Sequence, residues 1–225
     1  ILGSIAQGTT VSDFEPEELH HRSSVSTSVL QLSWNQTTIS LLDPPGALSL
    51  LGAPLSALRA VDAALIVLDG QAGIRTELSR LWARIGELGL PCLFFVNGLD
   101  RENVSIEHAL EICRTQLNCV PIPMVVPVGL GSQMEGVIDI FQDRLIRSGP
   151  ATAKVEILPV PAHLESVAKE RRTRLMEAVA ETEDTLLDIY VARGDLSHDV
   201  LLSGLRSGIL RRQVFPLYAG SAARN

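Results

Sequence analysis

Three short apolar runs dominate the first half of the chain, and each run ends on a polar residue. They cover 38–43, 61–69 and 90–97, and they end on Asp43, Asp69 and Asn97. Their apolar residues are continuous rather than alternating, which is typical of strands buried on both faces of a parallel sheet. Segments with helical periodicity lie between and after these runs, over 55–61, 75–89 and 105–117. This alternation predicts an α/β fold with a mostly parallel sheet flanked by helices.

The residues ahead of the second apolar run predict a hairpin and an acidic loop. Residues 25–34 and 37–42 flank Asn35 and Gln36, and we expect them to pair as an antiparallel edge of the same sheet. Glu15, Glu17 and Glu18 precede the hairpin. We interpret these three carboxylates as an exposed acidic segment rather than a catalytic carboxylate pair.

The pattern changes near residue 136. Short strands are predicted over 136–147 and 153–160 around the turn Ser148-Gly149-Pro150, followed by helices over 162–181, 184–193 and 198–211. Ser197 is a candidate N-cap of the last helix. Residues 214–222 then repeat the buried-strand pattern of the first half. We therefore predict one domain over 1–136 and 213–225, interrupted by an inserted α+β subdomain over 137–212.

Composition and charge narrow the classes of function. Hydrophobic residues make up 46% and charged residues 20% of the 225 residues, which is enough apolar material for a full core. The formal charge of −7, without a long basic run, does not favour DNA as a partner. No apolar stretch is long enough for a membrane span, and no signal peptide is recognisable. Three cysteines without zinc-ligand spacing predict free thiols in a cytoplasmic protein.

The polar residues after the third run suit recognition of a purine base. The segment Asn97-Gly98-Leu99-Asp100 follows a predicted buried strand and precedes a predicted helix. The Asp100 carboxylate can accept two hydrogen bonds from the N1–H and exocyclic amine of guanine, which adenine cannot supply. Asn and Asp are also common in turns, so this segment alone is weak evidence of a site.

Two further loops have candidate chemistry. Asp43-Pro44-Pro45-Gly46 follows the first run, where an Asp can hold a magnesium-bound water and a Gly amide can approach a terminal phosphate. The alternative is a stiff turn without a ligand. Gly220-Ser221-Ala222 follows the last predicted strand and offers small residues whose amides can approach a flat base edge. In open α/β sheets ligands bind at the carboxyl ends of the strands, where these loops lie.

In this order and strand context, the loops resemble those of the GTP-binding domain of translational GTPases, specifically elongation factor G and its paralogues. Residues 43–47 resemble the Asp-Thr-Pro-Gly-His of switch II, and 96–103 resemble Val-Asn-Lys-Met-Asp-Arg-Glu-Asn. Residues 220–225 resemble the closing Gly-Ser-Ala loop, 8–28 resemble switch I, and 175–190 resemble the inserted subdomain of that factor. The resemblance covers essentially the whole chain and implies a P-loop-NTPase-like fold.

The resemblance also implies ligands, partners and roles. It implies GTP or GDP and Mg²⁺ as cofactors, with Ser24 and Asp43 as metal ligands. The nucleotide-binding residues that it implies are Asp43, Gly46, Asn97, Asp100, Ser221 and Ala222. The implied partner is the ribosome, including its stalk protein through the insert. The basic cluster over 169–174 is interpreted first as a solvated helix face, with Glu165 and Lys169 paired, and contact with the stalk is the alternative. Neither DNA nor a membrane is implied, and we expect a monomer.

The sequence departs from the family in its catalytic segments. The phosphate loop G-x-x-x-x-G-K-[ST] is absent, and we expect it before Ile1, which makes the chain a fragment. Gly98 replaces a Lys that packs along the base, Pro44 replaces a Thr, and Ala47 replaces the His that orients the attacking water. Pro54 is expected to break the switch II helix.

Two functional hypotheses follow from this comparison. The first is the GTP-binding domain of an elongation factor G-like translation factor, truncated or degenerate, with slow or absent hydrolysis and no catalytic residue assigned. The alternative is an inactive pseudo-GTPase that serves as a ribosome- or protein-binding module. An unrelated α/β enzyme is poorly supported, because no nucleophile–base pair is recognisable in the sequence.

Overall fold

A computed structural model describes residues 3, 9–71, 76–129, 131–148 and 155–222. The chain divides into two compact units, the first over 1–62 and 76–88 and the second over 63–75 and 89–225. In these described ranges, no helix has the length and apolarity that a membrane crossing requires. Gly149 and Pro150 of the predicted turn lie outside the described residues.

The first unit contains the predicted hairpin. Its elements are α1 (Pro16–His21), β1 (Ser28–Trp34), β2 (Thr37–Asp43), α2 (Gly52–Ala57) and α3 (Thr76–Glu87). β1 and β2 pair antiparallel from Ser28 opposite Asp43 to Trp34 opposite Thr37. Asn35 and Gln36 both have positive φ, 45° and 62°, as the two-residue turn of a tightly twisted hairpin requires.

The predicted place of the hairpin in the main sheet is wrong for the described residues. β1 and β2 form a two-stranded sheet of their own, and among the described strands β2 pairs with β1 alone. Ile39 and Leu41 of β2 are exposed, so this strand is not buried on both faces. A continuous apolar run indicates that a strand needs cover, but it does not identify the neighbour that supplies it.

Pro54 does not interrupt a helix of this structure. A 3₁₀ turn covers Leu48–Leu50, and α2 begins after it at Gly52. Pro54 therefore lies in the first turn of α2, where its missing N–H has no intrahelical acceptor to lose. The proline is compatible with the start of a short helix rather than the kink of a longer one.

The second unit contains the predicted parallel sheet. Its strands are β3 (Ala64–Asp69), β4 (Cys92–Asn97), β5 (Ile122–Pro123) and β10 (Pro216–Gly220), in the order β3-β4-β10-β5 and all parallel. Phe94 of β4 and Leu217 of β10 are opposite each other, and both are fully buried on the same face of the sheet. α4 (Ile106–Leu117) follows β4, and the Ser105 hydroxyl caps it by accepting a hydrogen bond from the His108 N–H. The predicted strands over 61–69, 90–97 and 214–222 are thus confirmed.

The cysteines are free thiols in this unit. Cys92, Cys113 and Cys119 are all buried. Burial raises the pKa of Cys92 and Cys119 to about 12 and that of Cys113 to about 11. Because only the thiolate reacts, these thiols are inert at neutral pH.

An antiparallel sheet and three helices form the rest of the second unit. The strands are β6 (Val125–Val128), β7 (Gly136–Asp139), β8 (Arg144–Ser148) and β9 (Val155–Leu158), and the helices are α5 (Glu165–Ala180), α6 (Asp184–Arg193) and α7 (His198–Leu210). Ile138, Leu175 and Leu201 belong to one shared core and are fully buried. A Cβ on Gly204 would press against Leu186, so glycine permits the close approach of α7 to α6.

Two details of this region differ from the sequence analysis. β5 and β6 are not predicted, because each contains a proline, and both lie at the edge of their sheets, where proline is tolerated. Ser197 is the N-cap residue of α7, but its side chain makes no capping hydrogen bond. The antiparallel sheet begins at Val125, and the domain boundaries at 137 and 212 stay a prediction.

Candidate functional site

Two loops are fastened together at the carboxyl edge of the parallel sheet. We name residues 97–100 the β4 loop and residues 220–222 the β10 loop. The Asn97 Oδ1 accepts a hydrogen bond of 3.0 Å from the Ala222 N–H. The N–H groups of Gly98 and Leu99 both donate to the carbonyl oxygen of Gly220, at 3.0 Å each. Because β4 and β10 are neighbours, with Asn97 opposite Gly220, the two loops form one cluster.

The β4 loop is a tight turn with a buried anchor. The Arg101 N–H donates to the Gly98 carbonyl oxygen at 2.9 Å, which closes the turn. Gly98 has φ of +88°, a conformation that side-chain residues adopt with strain. Leu99 is only 1% exposed and fixes the loop to the core, while Asp100 is half-buried. The turn thereby fixes the backbone of Asp100 beside the edge of the sheet.

The β10 loop has an unusual polar atom. The Ser221 Oγ is buried and has no hydrogen-bond partner among the described residues. A buried hydroxyl without a partner costs free energy, on the order of 1–3 kcal/mol. A ligand that supplies a donor or an acceptor to Ser221 would remove this cost, which favours a binding role for the loop.

The structure places two residues at the β4 loop that the sequence analysis missed. The Arg101 Nη2 donates to the Asp69 Oδ1 at 2.7 Å, and Asp69 is the last residue of β3. Asp69 is apparent in the sequence as the polar end of an apolar run, but no spacing rule connects it to Arg101. The contact arises because β3 and β4 are neighbours, with Asp69 opposite Asn97.

Ser24 and Asp43, the predicted metal ligands of the first unit, both interact with Asp13. The Ser24 Oγ donates to the Asp13 Oδ1 at 2.7 Å. The pKa of Asp43 is raised by burial and by the negative charge of Asp13, and a hydrogen bond from the Ser12 hydroxyl partly offsets both effects. Asp13 carries no sequence signal of its own and was missed. In the ranges that the structure describes, no set of three or more His, Cys, Asp or Glu residues is arranged to hold a metal ion.

Gly46 follows Asp43 in an open position. It is exposed, and a Cβ added to it would meet no atom within 4 Å. The protein itself therefore does not require glycine here. A requirement for glycine at this position would have to come from a ligand that approaches the backbone.

Glu18 corrects the expectation of an exposed acidic segment. Its side chain is buried, and its carboxylate accepts hydrogen bonds from the backbone N–H groups of Phe14, Glu15, Val25 and Ser26, at 3.0–3.2 Å. The hydrogen bonds from Val25, Glu15 and Ser26 lower the pKa of Glu18 to about 2, against the opposing effect of burial. Glu18 thus connects the start of α1 to the segment that leads into β1.

We expect acid to release this connection. The folded-state pKa of Glu18 lies below its ordinary value of 4.5, so its contribution to stability is complete above pH 4.5 and is lost as pH falls toward 2. Glu18→Gln should mimic the acid form at neutral pH, because the amide replaces one acceptor oxygen with a donor. Hydrogen exchange of the Val25 and Ser26 amides should accelerate about tenfold. Glu17→Gln, at an exposed neighbour, is the control, and equal exchange in both variants would contradict the assignment.

Comparison with known proteins adds to this geometry. The model of the family described as "Elongation factor Tu GTP binding domain" matches residues 3–225. The chain is also similar to a protein of Thermus thermophilus whose crystal structure is known, with 28% sequence identity and a TM-score of 0.87. The match covers 99% of this chain and 33% of that one, so the chain spans about a third of the length of the solved protein.

Proposed function

Because the chain belongs to the family of the elongation factor Tu GTP binding domain, the GTP-binding domain of translational GTPases, we propose that its β4 and β10 loops bind the guanine base of GTP or GDP. The observation that carries the proposal is the hydrogen bond from the Ala222 N–H to the Asn97 side chain, which joins the two loops. It holds the β10 loop against the loop that carries Asp100. A flat base needs such a paired arrangement, with a hydrogen-bonding edge and a close-fitting backbone.

Asp100 supplies the selectivity. Its carboxylate would accept hydrogen bonds from the guanine N1–H and exocyclic amine, while adenine has an acceptor at N1 and no amine at C2. Charge-assisted bidentate contacts are about twice as strong as neutral ones, which is enough to exclude the wrong base. The buried Ser221 hydroxyl, without a partner among the described residues, and the Ala222 backbone would close the other edge of the base.

Ser24 and Asp43 are the magnesium ligands that we propose in the first unit. Asp43, Asp13 and the Ser24 hydroxyl are hard oxygen donors of the kind that Mg²⁺ prefers. The pKa of Asp43 is raised by burial and by the negative charge of Asp13, and a cation would relieve the second of these effects. When bound, Mg²⁺ would neutralise phosphate charge. The open position of Gly46 permits a phosphate to approach the backbone.

We expect hydrolysis to be slow or absent. Ala47 occupies the position that orients water in the family, and a methyl group cannot position water by hydrogen bonding. The chain would then act as a nucleotide-binding domain of an elongation factor G-like translation factor in the cytoplasm. Its conformation would depend on the guanine nucleotide that is bound.

We propose that the protein contacts the ribosome. The basic cluster of the insert, residues 169–174, is less available for such a contact than its charge indicates. Arg171 pairs with Glu107 at 2.8 Å, and Arg174 pairs with Glu170 at 2.6 Å. Arg172 donates to two backbone carbonyl oxygens of the insert, at 3.1 and 3.2 Å. Arg171, Arg172 and Arg174 thus have their partners within the second unit, and we do not assign stalk binding to the cluster over 169–174.

The test is a nucleotide titration of the natural protein with magnesium present. We expect fluorescent GDP to bind at least tenfold more tightly than the matching ADP, since two charge-assisted hydrogen bonds distinguish them. GTP turnover should stay near the rate without protein. Equal affinity for GDP and ADP would contradict guanine recognition, whereas guanine-selective binding with rapid turnover would contradict only the loss of hydrolysis.

A further inference from the structure

The space beside the Cα of Gly98 is filled by another side chain. A Cβ placed on Gly98 would overlap the guanidinium of Arg101, whose Nη2, Nε and Cζ are its nearest neighbours. The backbone adds a second restriction, because φ of +88° is strained for any residue with a side chain. Position 98 is therefore restricted to glycine for as long as Arg101 stays where it is.

Several contacts hold the guanidinium in this place. The Arg101 Nη2 donates to the Asp69 Oδ1 at 2.7 Å and reaches the Asn97 carbonyl oxygen at 3.5 Å. The Arg101 Nη1 reaches the Gln71 Oε1 at 3.5 Å. Gln71 is itself fixed, since its N–H donates to the Asp69 Oδ1 at 3.0 Å and its Nε2 donates to the Glu102 carbonyl oxygen at 2.8 Å. The guanidinium thus connects the ends of two neighbouring strands, β3 and β4.

We propose that Arg101 is the positioning residue of the β4 loop, with its guanidinium in the space that a side chain at position 98 would occupy. A planar guanidinium can contact Asp69, Gln71 and the loop backbone at once, whereas a Lys ammonium acts as a point charge. An exposed ion pair contributes little to global stability, and the Arg101 and Asp69 side chains are 41% and 49% exposed. Its effect is therefore on the geometry of the loop.

The consequence for nucleotide selection rests on the proposed function. Asp100 directly precedes Arg101, so the orientation of its carboxylate depends on the same turn. GDP would use both carboxylate hydrogen bonds, whereas inosine diphosphate lacks the exocyclic amine and would use one. The ratio of the GDP and inosine diphosphate affinities therefore reports how well Asp100 is oriented, and a general loss of stability would not change it.

The experiment compares Arg101→Gln with Arg114→Gln in the natural protein. Arg114 is a matched control, because it is also exposed and forms an ion pair, with Glu111 at 2.6 Å, on a helix away from the loop. In the nucleotide-free protein, hydrogen exchange of the Gly98 and Leu99 amides should accelerate about fivefold in Arg101→Gln and stay unchanged in Arg114→Gln. The affinity ratio of GDP to inosine diphosphate should fall by about the same factor in Arg101→Gln alone.

A second variant tests the same geometry from the other side. Gly98→Ala should change the exchange rates in the same direction, because the new methyl group displaces the guanidinium and strains the backbone at φ of +88°. Unchanged exchange of the Gly98 and Leu99 amides in Arg101→Gln would overturn the proposal, whatever the nucleotide affinities. Faster exchange in a protein that does not prefer GDP to ADP would support the role of Arg101 and contradict the proposed function instead.

Discussion

Replacing Asp100 with asparagine is expected to weaken GDP binding about 100-fold and to create affinity for xanthosine diphosphate. The side-chain amide presents one acceptor and one donor where the carboxylate presented two acceptors. Its acceptor can still receive the N1–H of guanine, but its NH₂ group then faces the exocyclic amine, donor against donor. Xanthine has a carbonyl oxygen in place of that amine, so it fits the asparagine. Competition of GDP and xanthosine diphosphate against a fluorescent nucleotide measures this change of preference from guanine to xanthine.

The control for this change is Asp188→Asn, which alters the same functional group at an exposed position of α6. It should leave both affinities unchanged. If Asp100→Asn and Asp188→Asn weaken GDP binding equally, or if xanthosine diphosphate gains nothing, the base does not meet Asp100 and the site is misassigned.

Leu175→Ala should destabilise the second unit by about 3 kcal/mol. Leu175 is fully buried in the core that the antiparallel sheet shares with α5, α6 and α7. The deletion removes apolar contacts and leaves a cavity that the surrounding helices fill only in part. Thermal unfolding followed by circular dichroism should show a midpoint lower by roughly 6–12 °C.

Leu210→Ala is the matched control, because Leu210 is a helical leucine that is 68% exposed. Its unfolding midpoint should change by no more than about 2 °C. Equal shifts in the two variants would show that α5 does not pack on this core as the structure describes.

Local patterns account for much of the fold. The bounds of α6 agree with the predicted helix over 184–193, because its apolar periodicity ends at Gly194, which takes the left-handed conformation of a helix stop. The strand ending at Asn97 is likewise visible as an apolar run that stops at polar residues. Such signals are local in sequence, so a single chain is enough to locate them.

The sequence was less informative where the cause lies in three dimensions. Glu18 is a charged residue in an acidic segment, which predicts an exposed side chain. In the structure, four backbone N–H groups from two segments donate to its carboxylate. In the sequence, Gly98 indicates only that a side chain is missing. The fold shows that the Arg101 guanidinium occupies the space beside the Gly98 Cα. In both cases the partners are set by the path of the backbone, which no spacing rule supplies.

The central claim is that a guanine base binds between the β4 and β10 loops. The most direct measurement is the amide NMR spectrum of the natural protein, labelled with ¹⁵N in glycine and alanine, during addition of GDP or ADP. The largest GDP-dependent shifts should belong to Gly98, Gly220 and Ala222, with ADP leaving these resonances in place. Equal shifts with both nucleotides, or GDP-dependent shifts that spare these three amides, would contradict the claim.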